Sequence, residues 1–368
     1  MRRIVPGLVA PVLAFALALG VTLLVVVVSG ASAGTFMSVV FDVPAERNVV
    51  NMLNNASMLY LSALAAAVGF RMGLFNIGVE GQYRIGVFFA AAFAGQAWLP
   101  GPLNVVVAIL VAMLAGAAWA AIAGLLKVTR GVSEVISTIM LNAIAVSLTA
   151  YLLRQWGIRP ENGGEIRTVP IEEGSRVPGF DIPFLPGAPN EVFGLAVLAV
   201  VAGIAFGVVI NRTRFGFELR ATGASPTAAV ASGIDVRRKV VVAMLLSGGI
   251  AGLVGLPLLL GSTYTYTSTF QAGLGFTGIA VALLGRNNPW GIAVGAVLFA
   301  YLSEQATRLE LLVGISSELV VVTQGVVVLA VVIAYEVAGR YRRAQEQREV
   351  AEKLAETPGT PGNQEVAR

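Results

Sequence analysis

Long apolar stretches, separated by short polar segments, dominate the pattern of hydrophobic and polar positions in this chain. A helix needs roughly 17–25 apolar residues to cross a hydrocarbon layer about 30 Å thick, and about ten stretches fit that length. The eighth and ninth are short and rich in glycine, so the pattern defines their limits least well. The predicted spans are Val5–Val28, Leu53–Phe70, Gly73–Gly95, Leu103–Leu126, Val135–Leu153, Val192–Ile210, Val240–Gly261, Ala272–Leu284, Trp290–Tyr301 extended by a turn or two, and Leu319–Val337. The pattern therefore predicts an all-α fold, a polytopic bundle of transmembrane helices.

Composition excludes a soluble protein. Of the 368 residues, 56% are hydrophobic and only 12% are charged, and the mean hydropathy is +0.79. Soluble domains carry about 25% charged residues, so this much apolar surface requires lipid as the solvent. The chain has no cysteine and no histidine, which excludes thiol nucleophiles and His-ligated metals. We expect no catalytic residue and no metal, and the net charge of +4 does not indicate a nucleic acid, because basic residues flank the spans.

The basic residues predict which loops face the cytosol. If the N-terminus is cytosolic, most short positive loops fall on the inner side, including those around Arg212 and Arg237–Lys239. An odd number of spans would break this agreement, so both termini are predicted to be cytosolic. The first span also resembles a signal peptide, because Arg2 and Arg3 precede it. Its apolar run is about twice the ~7–15 residues of such a leader, so we expect an uncleaved helix.

The third span carries unusual polar residues for a membrane segment. On a helix, Asn76, Glu80 and Arg84 would share one face at i, i+4 spacing, and Glu80 would pair with Arg84. Gln82 lies between them, in a run rich in glycine. Polar side chains inside a membrane usually face a cavity or a partner helix. This stretch is therefore predicted to line a substrate pathway, with an internal salt bridge that fixes helix packing as the alternative.

The fifth span begins with a second polar face. Glu134, Thr138 and Asn142 follow each other at i, i+4 spacing and are also candidates for the pathway. Hydrogen bonds between helices explain them equally well, since such contacts are common in membrane bundles. Glu134 could simply favour the positive end of the helix dipole near the cytosolic surface.

Two further patterns are predicted to be structural. Tyr264, Tyr266 and Phe270 could stack on a ring-shaped substrate, but an interfacial aromatic belt is the favoured reading. Small residues at regular spacing are predicted to let helices pack closely. These rows are Gly248, Gly252 and Gly255, and then Gly291 and Gly295.

The cytosolic loop at residues 211–239 contains a short helix signal. Ser225 suits the N-cap position, Pro226 the first helical residue and Gly233 the residue after the helix end. A helix this short is not stable alone. It could dock in a groove of a soluble partner, or lie on lipid head groups.

These segments together resemble a known family. The stretches GLFNIGVEGQ at residues 73–82, Glu134–Asn142, Leu219–Ile234 and GFTGIAVALLG at residues 275–285 look like permeases of bacterial ABC importers. They are similar to the branched-chain amino acid, ribose and nucleoside group, and closest to its nucleoside and simple-sugar branch. The resemblance covers roughly residues 51–337, and the motifs are specific only in combination.

The apolar pattern and the charged segments predict a layout for the whole chain, of which the resemblance covers only roughly residues 51–337. Residues 1–50 would be a first transmembrane helix and an outer loop. Residues 51–338 would be the permease core, with an outer loop at 154–189 and a cytosolic coupling loop at 211–239. Residues 339–368 would be a cytosolic tail, disordered at its end. The protein would be a multi-pass component of the bacterial plasma (inner) membrane.

The resemblance also implies partners. A second permease subunit, two ATPase subunits or one doubled ATPase, and an extracytoplasmic binding protein or lipoprotein would complete the importer. The chain lacks the G-x-x-x-x-G-K-[ST] motif, so ATP would be bound and hydrolysed by partner subunits; no cofactor is expected here, and this chain is predicted not to be an enzyme. The residues expected to couple to the ATPase are Arg220, Gly223, Ser225, Ala228, Ala229 and Gly233. The predicted cargo is a nucleoside or a related simple sugar.

Three alternative functions would use parts of the same sequence pattern. The first alternative is a branched-chain amino acid permease of the same group, and only the residues found in the motifs argue against it. An ion-coupled secondary transporter would need a carboxylate deep in the membrane, and Glu80 could serve. An intramembrane enzyme is disfavoured, because no paired carboxylates occur at helical spacing deep in a span.

Overall fold

The computed structural model describes residues 32–313 without 162 and 184, together with isolated positions between 20 and 30 and between 322 and 347. The chain divides into two compact units, one of residues 34–320 and one that combines residues 1–33 with 321–368. Apart from the isolated positions, the predicted first and tenth spans and the predicted tail lie outside the described residues. Their predictions stand as stated.

Helices make up nearly all the regular structure of the described residues, where only isolated β-bridges occur besides them. A 3₁₀ turn lies at Glu173–Ser175, and a short helix with a π-helical turn, Leu256–Thr263, extends α9. The α-helices are α1 (Ala33–Val40), α2 (Glu46–Arg71), α3 (Val79–Ala94), α4 (Gly101–Arg130), α5 (Glu134–Trp156), α6 (Ala196–Arg212), α7 (Arg214–Ala224), α8 (Pro226–Ala231), α9 (Val236–Gly252), α10 (Leu274–Leu284) and α11 (Pro289–Val313). The predicted all-α fold is confirmed.

Several of these helices are long and apolar enough to cross a membrane. Among the described residues they are α2, α4, α5 and α9 with its extension, and the pair α6 and α7 would be a fifth if this 70° bend lies within one span. α10 is apolar but has only 11 residues. The number of spans and the side of the termini stay predictions.

α2 is the central helix of the bundle. It contacts α6, α9, α10 and α11, and its middle, including Leu61 and Leu64, is fully buried. α4 and α5 instead present large apolar side chains such as Leu114 and Met140 outward. An apolar outer face is favourable in lipid, which solvates such side chains as well as a protein interior does.

α9 packs against α4 with the two backbones in contact. A Cβ atom at Gly248 would overlap the carbonyl of Gly116, and one at Gly252 would overlap the backbone of Ala112. Gly291 similarly lies against the backbone of Gly285. Only glycine permits such an approach, so the predicted packing role of these small residues is confirmed.

The loop between α5 and α6 lies along the segment that follows α9. The N–H of Thr168 donates to the carbonyl of Tyr266 at 3.0 Å, and the N–H of Ile171 donates to that of Tyr264 at 2.9 Å. These bonds satisfy backbone groups that have no helix to bond with. The loop therefore fixes the irregular chain between α9 and α10.

Candidate functional site

The predicted third span is broken before its helix begins. α3 starts at Val79, and residues 72–78 form an irregular connection from α2. Gly73 has a φ of 75°, which is strained for a residue with a Cβ atom. The Oδ1 atom of Asn76 accepts a hydrogen bond from the Gly78 N–H at 3.0 Å, and such a local bond competes with helix formation.

Asn76 therefore does not share a helix face with Glu80 and Arg84, and that part of the prediction is wrong. The periodic spacing assumed a helix that continues through Asn76, whereas the glycine and the asparagine bond end it. The predicted ion pair is confirmed: Arg84 Nε lies 3.0 Å from Glu80 Oε1, and both residues are buried.

Asn76 and Gln82 form a closed pair across the start of α3. The amide nitrogen of each donates to the side-chain oxygen of the other, both at 2.9 Å. Asn76 Nδ2 also donates to Ser247 Oγ on α9 at 2.7 Å, and Ser247 Oγ donates to the carbonyl of Ala65 on α2 at 2.6 Å. This chain of bonds joins three helices inside the bundle.

Asn142 on α5 forms hydrogen bonds to the backbone of the same irregular connection and of α3. Its Oδ1 accepts from the Gly81 N–H at 2.8 Å, and its Nδ2 donates to the Ile77 carbonyl at 2.9 Å. Thr138, one turn earlier, is fully buried and donates to the carbonyl of Glu134 at 2.7 Å. The predicted face of α5 is thus turned inward against the break in the third span.

Glu80 ties α3 to the beginning of α10. Its two carboxylate oxygens accept hydrogen bonds from the N–H groups of Gly273 and Gly275, each at 2.9 Å. The hydroxyl of Tyr83 donates to Glu80 at 3.3 Å and also makes a short bond to the Gln271 carbonyl. A carboxylate at the N-terminus of a helix is stabilised by the helix dipole, so Glu80 is neutralised by this terminus and by its arginine together.

α10 begins halfway along α2 rather than at a membrane surface. Ser62 in the middle of α2 donates to the carbonyl of Leu274 at 2.8 Å. Arg71 at the end of α2 donates to the carbonyl of Asn287, just after α10, at 2.8 and 3.0 Å. The 11 residues of α10 span about 16 Å at 1.5 Å per residue, about half the hydrocarbon layer. The predicted eighth span is therefore a half-helix preceded by irregular chain.

Glu134 lies outside the hydrogen-bonded group of Asn76, Gln82 and Asn142. It occupies the first turn of α5, where its Oε2 is 2.6 Å from Lys127 Nζ and its Oε1 accepts from the Phe75 N–H at 3.4 Å. This geometry agrees with a charge that balances the helix start and a basic neighbour.

The aromatic residues after α9 are not a membrane-interface belt. Tyr266 and Phe270 are buried and stack at 5.3 Å, and Tyr266 also meets the edge of Phe88 at 5.5 Å. The belt prediction is therefore wrong for these two. Tyr264 packs differently, with the guanidinium of Arg176 4.3 Å from its ring centre.

The short helix predicted between residues 211 and 239 is present as α8. Ser225 Oγ accepts from the Ala228 N–H at 3.3 Å, Pro226 is the first helical residue, and Gly233 follows with a φ of 79°. α7 precedes it directly, so the loop is largely helical. Arg220 and Gly223 belong to α7 rather than to the short helix.

The two alanines of α8 differ in environment. Ala228 is exposed, whereas Ala229 is only 2% exposed. Gly223 is also in close contact: a Cβ atom there would lie 2.7 Å from the carbonyl oxygen of Arg71. α7 is therefore fixed against the end of α2, and α8 packs against α7 and α9, so a bulky residue at the buried Ala229 would disturb this packing.

Three polar residues of the network were not singled out from the sequence. Ser62, Tyr83 and Ser247 are buried and hydrogen-bonded to it. A serine in an apolar helix usually bonds to its own backbone. The sequence therefore gives no sign that these residues bond to other segments, and only their neighbours in the structure show it. A buried polar network around a broken span, enclosed by apolar helices, is an arrangement found in many membrane transport proteins.

Comparison with known proteins gives the family. Residues 48–334 match the family described as "Branched-chain amino acid transport system / permease component", and the chain belongs to this family. It is 34% identical to the guanosine ABC transporter permease NupP of Bacillus subtilis over 90% of this chain and 94% of that protein. The resemblance to ABC permeases that the motifs carried is confirmed.

Two further relatives agree with that branch. The glucose ABC transporter permease TsgB13 of Haloferax volcanii is 32% identical, over 93% of this chain and 92% of its own length. The nucleoside ABC transporter permease NupB of Lactococcus lactis is 31% identical, over 78% of this chain and 80% of its own. The match to the nucleoside and simple-sugar branch is thereby confirmed.

Proposed function

We propose that this chain is the membrane-spanning permease subunit of an ATP-driven importer that moves nucleosides, or a related simple sugar, into the cytosol. The observation that carries the proposal is the match to NupP along almost the entire chain, combined with a broken, polar-lined span in the bundle. Relatives named for guanosine, nucleosides and glucose transport hydroxyl-rich molecules. Amide and carboxylate groups are suitable partners for sugar hydroxyls and base edges.

The proposed pathway uses the polar residues of the broken span and of α5. Its candidate residues are Asn76, Glu80, Gln82, Glu134, Thr138 and Asn142. Asn76 and Gln82 bond to each other in this conformation, so substrate would bind there by exchanging these bonds for its own. Glu80 and Asn142 bond to backbone N–H groups and would position the half-helix and the break rather than touch the cargo.

Coupling is proposed to pass through α8 in the cytosolic loop. Two ATPase subunits, or one doubled ATPase, would dock on this helix and on its equivalent in a second permease subunit. ATP would be bound only by these partners. An extracytoplasmic binding protein would deliver substrate at the opposite face, and the chain would be a multi-pass protein of the bacterial plasma membrane.

Uptake by the reconstituted importer tests the cargo. Proteoliposomes containing this permease, its second permease, the ATPase and the binding protein should accumulate labelled guanosine or another nucleoside only when ATP is supplied to the ATPase side. Labelled glucose and leucine serve as competing substrates. ATP-dependent uptake of leucine alone would make the chain an amino acid permease, and uptake driven by an ion gradient without the ATPase would refute the ATP-driven mechanism.

A substitution in α8 tests the coupling. Ala228→Glu should reduce uptake about tenfold or more, because an added charge on the exposed face of α8 would disturb a docked surface. The melting temperature should stay unchanged, since Ala228 is exposed. Ser232→Glu, at another exposed position at the end of the same helix, maps how far the docked surface extends. Normal uptake by the Ala228 variant would contradict the coupling role of α8.

The runner-up functions have less support. The family description names branched-chain amino acids, so an amino acid cargo remains the second candidate for the same site. Ion coupling through Glu80 is disfavoured by its surroundings. Both its oxygens bond to N–H groups at the start of α10 and one pairs with Arg84, so this carboxylate already serves as a structural contact.

A further inference from the structure

Two guanidinium groups lie close together where α2, α7 and the α10–α11 connection meet. Arg71 ends α2 and donates through Nε and Nη2 to the carbonyl of Asn287. Arg220 on α7 is close enough for its positive charge to act on Arg71. The packing of the two helices explains this proximity, because Gly223 lies against Arg71, and residues at i and i+3 share a face of a helix.

Arg220 has an unsatisfied group in this position. Its Nη1 atom is buried and has no hydrogen-bond partner, and the Oδ1 atom of Asn287 is also buried without a partner. Leaving a buried donor unpaired is costly, and more so when it belongs to a charged group. Within the part of the chain that the structure describes, this donor and the Asn287 oxygen do not bond to each other, so the guanidinium keeps a donor for a further acceptor.

The carboxylates nearby are engaged elsewhere. Within the described residues 127–134 and 211–239, Glu134 pairs with Lys127, and Glu218 pairs with Arg214 and Lys239. Asp235 accepts from a backbone N–H at the start of α9.

We propose that the Arg71–Arg220 pair is a docking site for a carboxylate side chain of the ATPase subunit. This inference rests on the proposed function, because it takes α8 to be the ATPase contact. α7 leads directly into α8, so an ATPase seated on α8 would extend over Arg220. An aspartate or glutamate of the partner would neutralise two repelling cations and supply the missing acceptor, and guanidinium groups bind carboxylates through directed, charge-assisted bonds.

The affinity between permease and ATPase tests the site. The complete permease pair in phosphatidylcholine nanodiscs is titrated with the purified ATPase, for the wild type and for Arg220→Gln. The variant should bind about 30-fold more weakly, the effect expected when one partner of a buried charge pair is removed, and its affinity should depend less on salt. Arg220→Lys should fall between the two, because it keeps the charge but not the planar fork.

Controls separate docking from folding. Arg237→Gln removes an exposed cation from the same cytosolic segment and should leave the affinity unchanged. The melting temperature of the permease without ATPase should be unchanged or higher in Arg220→Gln, since removing an uncompensated cation relieves repulsion. A clear fall in that melting temperature would assign Arg220 to the permease's own structure and overturn the proposal.

Three other results would also overturn it. If Arg220→Gln binds the ATPase as the wild type does while Ala228→Glu does not, α8 docks the ATPase but the arginine pair does not contribute; if neither variant weakens binding, the coupling function itself fails. If phosphatidylglycerol stabilises the wild type but not Arg220→Gln in the absence of ATPase, and ATPase affinity is equal in both, the acceptor is a lipid head group instead.

Discussion

The buried network around the break in the third span differs from the junction of α2 with α7 in how its polar groups are bonded. Inside the bundle, Asn76, Gln82 and Asn142 have bonds at both their oxygen and their nitrogen, and both oxygens of Glu80 accept N–H groups. At the junction of α2 with α7, Arg220 has a buried donor without a hydrogen-bond partner among the described residues. Membrane interiors offer no water to an unsatisfied group, so the first region must be complete within the chain. The second region can be completed by another chain.

This difference distinguishes polar residues whose hydrogen bonds are complete within the chain from Arg220, whose buried donor is unpaired. A substitution in the saturated network should destabilise the isolated permease. A substitution at the unpaired cations should alter assembly and leave the isolated permease folded. The predictions below test the first half of that contrast, from the largest expected effect to the smallest.

Glu80→Gln should be the most destabilising of these changes. It removes the charge that balances buried Arg84 and weakens the contact with the start of α10. Leaving one member of a buried pair unbalanced costs about 3–5 kcal/mol. Thermal or denaturant unfolding in nanodiscs measures the loss. The control is Glu173→Gln, which removes an exposed carboxylate 3.9 Å from Arg176 and should cost at most about 1 kcal/mol. Equal stability of the two variants would show that Glu80 is not a structural anchor.

Asn142→Ala should have an intermediate effect. It leaves the Gly81 N–H and the Ile77 carbonyl without their partner, and an unsatisfied buried group costs about 1–3 kcal/mol. Ser147→Ala on the exposed face of the same helix is the matched control, with little change expected. If both variants unfold at the same temperature, the break in the third span does not depend on α5.

Glu165→Gln should have the smallest effect, although Glu165 is also well bonded. It accepts from Ser268 and Thr269 on the outer side, but it is exposed to solvent. Hydrogen bonds from Ser268, then from Thr269, hold the pKa of Glu165 below its ordinary value. A lowered pKa in the folded state adds stability above the ordinary glutamate pKa of about 4.3, and this stability is lost as the pH falls through the lowered value.

The melting temperatures of wild type and Glu165→Gln should therefore differ slightly at about pH 6 and converge at about pH 3. The difference should be far smaller than that for Glu80→Gln, because solvent screens an exposed charge. A loss as large as that of Glu80→Gln would mean that hydrogen bonding, rather than burial, sets the cost, and would break the comparison between the two regions.

Much of the fold was predictable because its signals are local. The apolar runs around α2, α4, α5 and α9 are long enough to identify helices without knowing their neighbours. The start and end of α8 were predictable for the same reason, since Ser225 and Gly233 act on their own turns. The pairing of Glu80 with Arg84 needed only helical spacing within α3.

Other features depended on residues far apart in the sequence. Asn76 was expected on a helix, but its bonds to Gln82 and Ser247 belong to a broken span. Tyr266 and Phe270 were expected at the lipid interface, but both are buried: Tyr266 packs against Phe88 of α3, and Phe270 stacks on Tyr266. Their burial depends on packing that no local pattern records.

The sequence by itself determined the class of this protein: an apolar chain of many helices, with specific motifs of an ABC permease. Only the tertiary structure decided that the polar residues of the third span are closed on one another, that α10 is a half-helix, and that Arg220 lacks a partner. The physical reason is that apolar length and helix signals act within one segment, whereas the satisfaction of a polar group depends on which other segments the fold brings beside it.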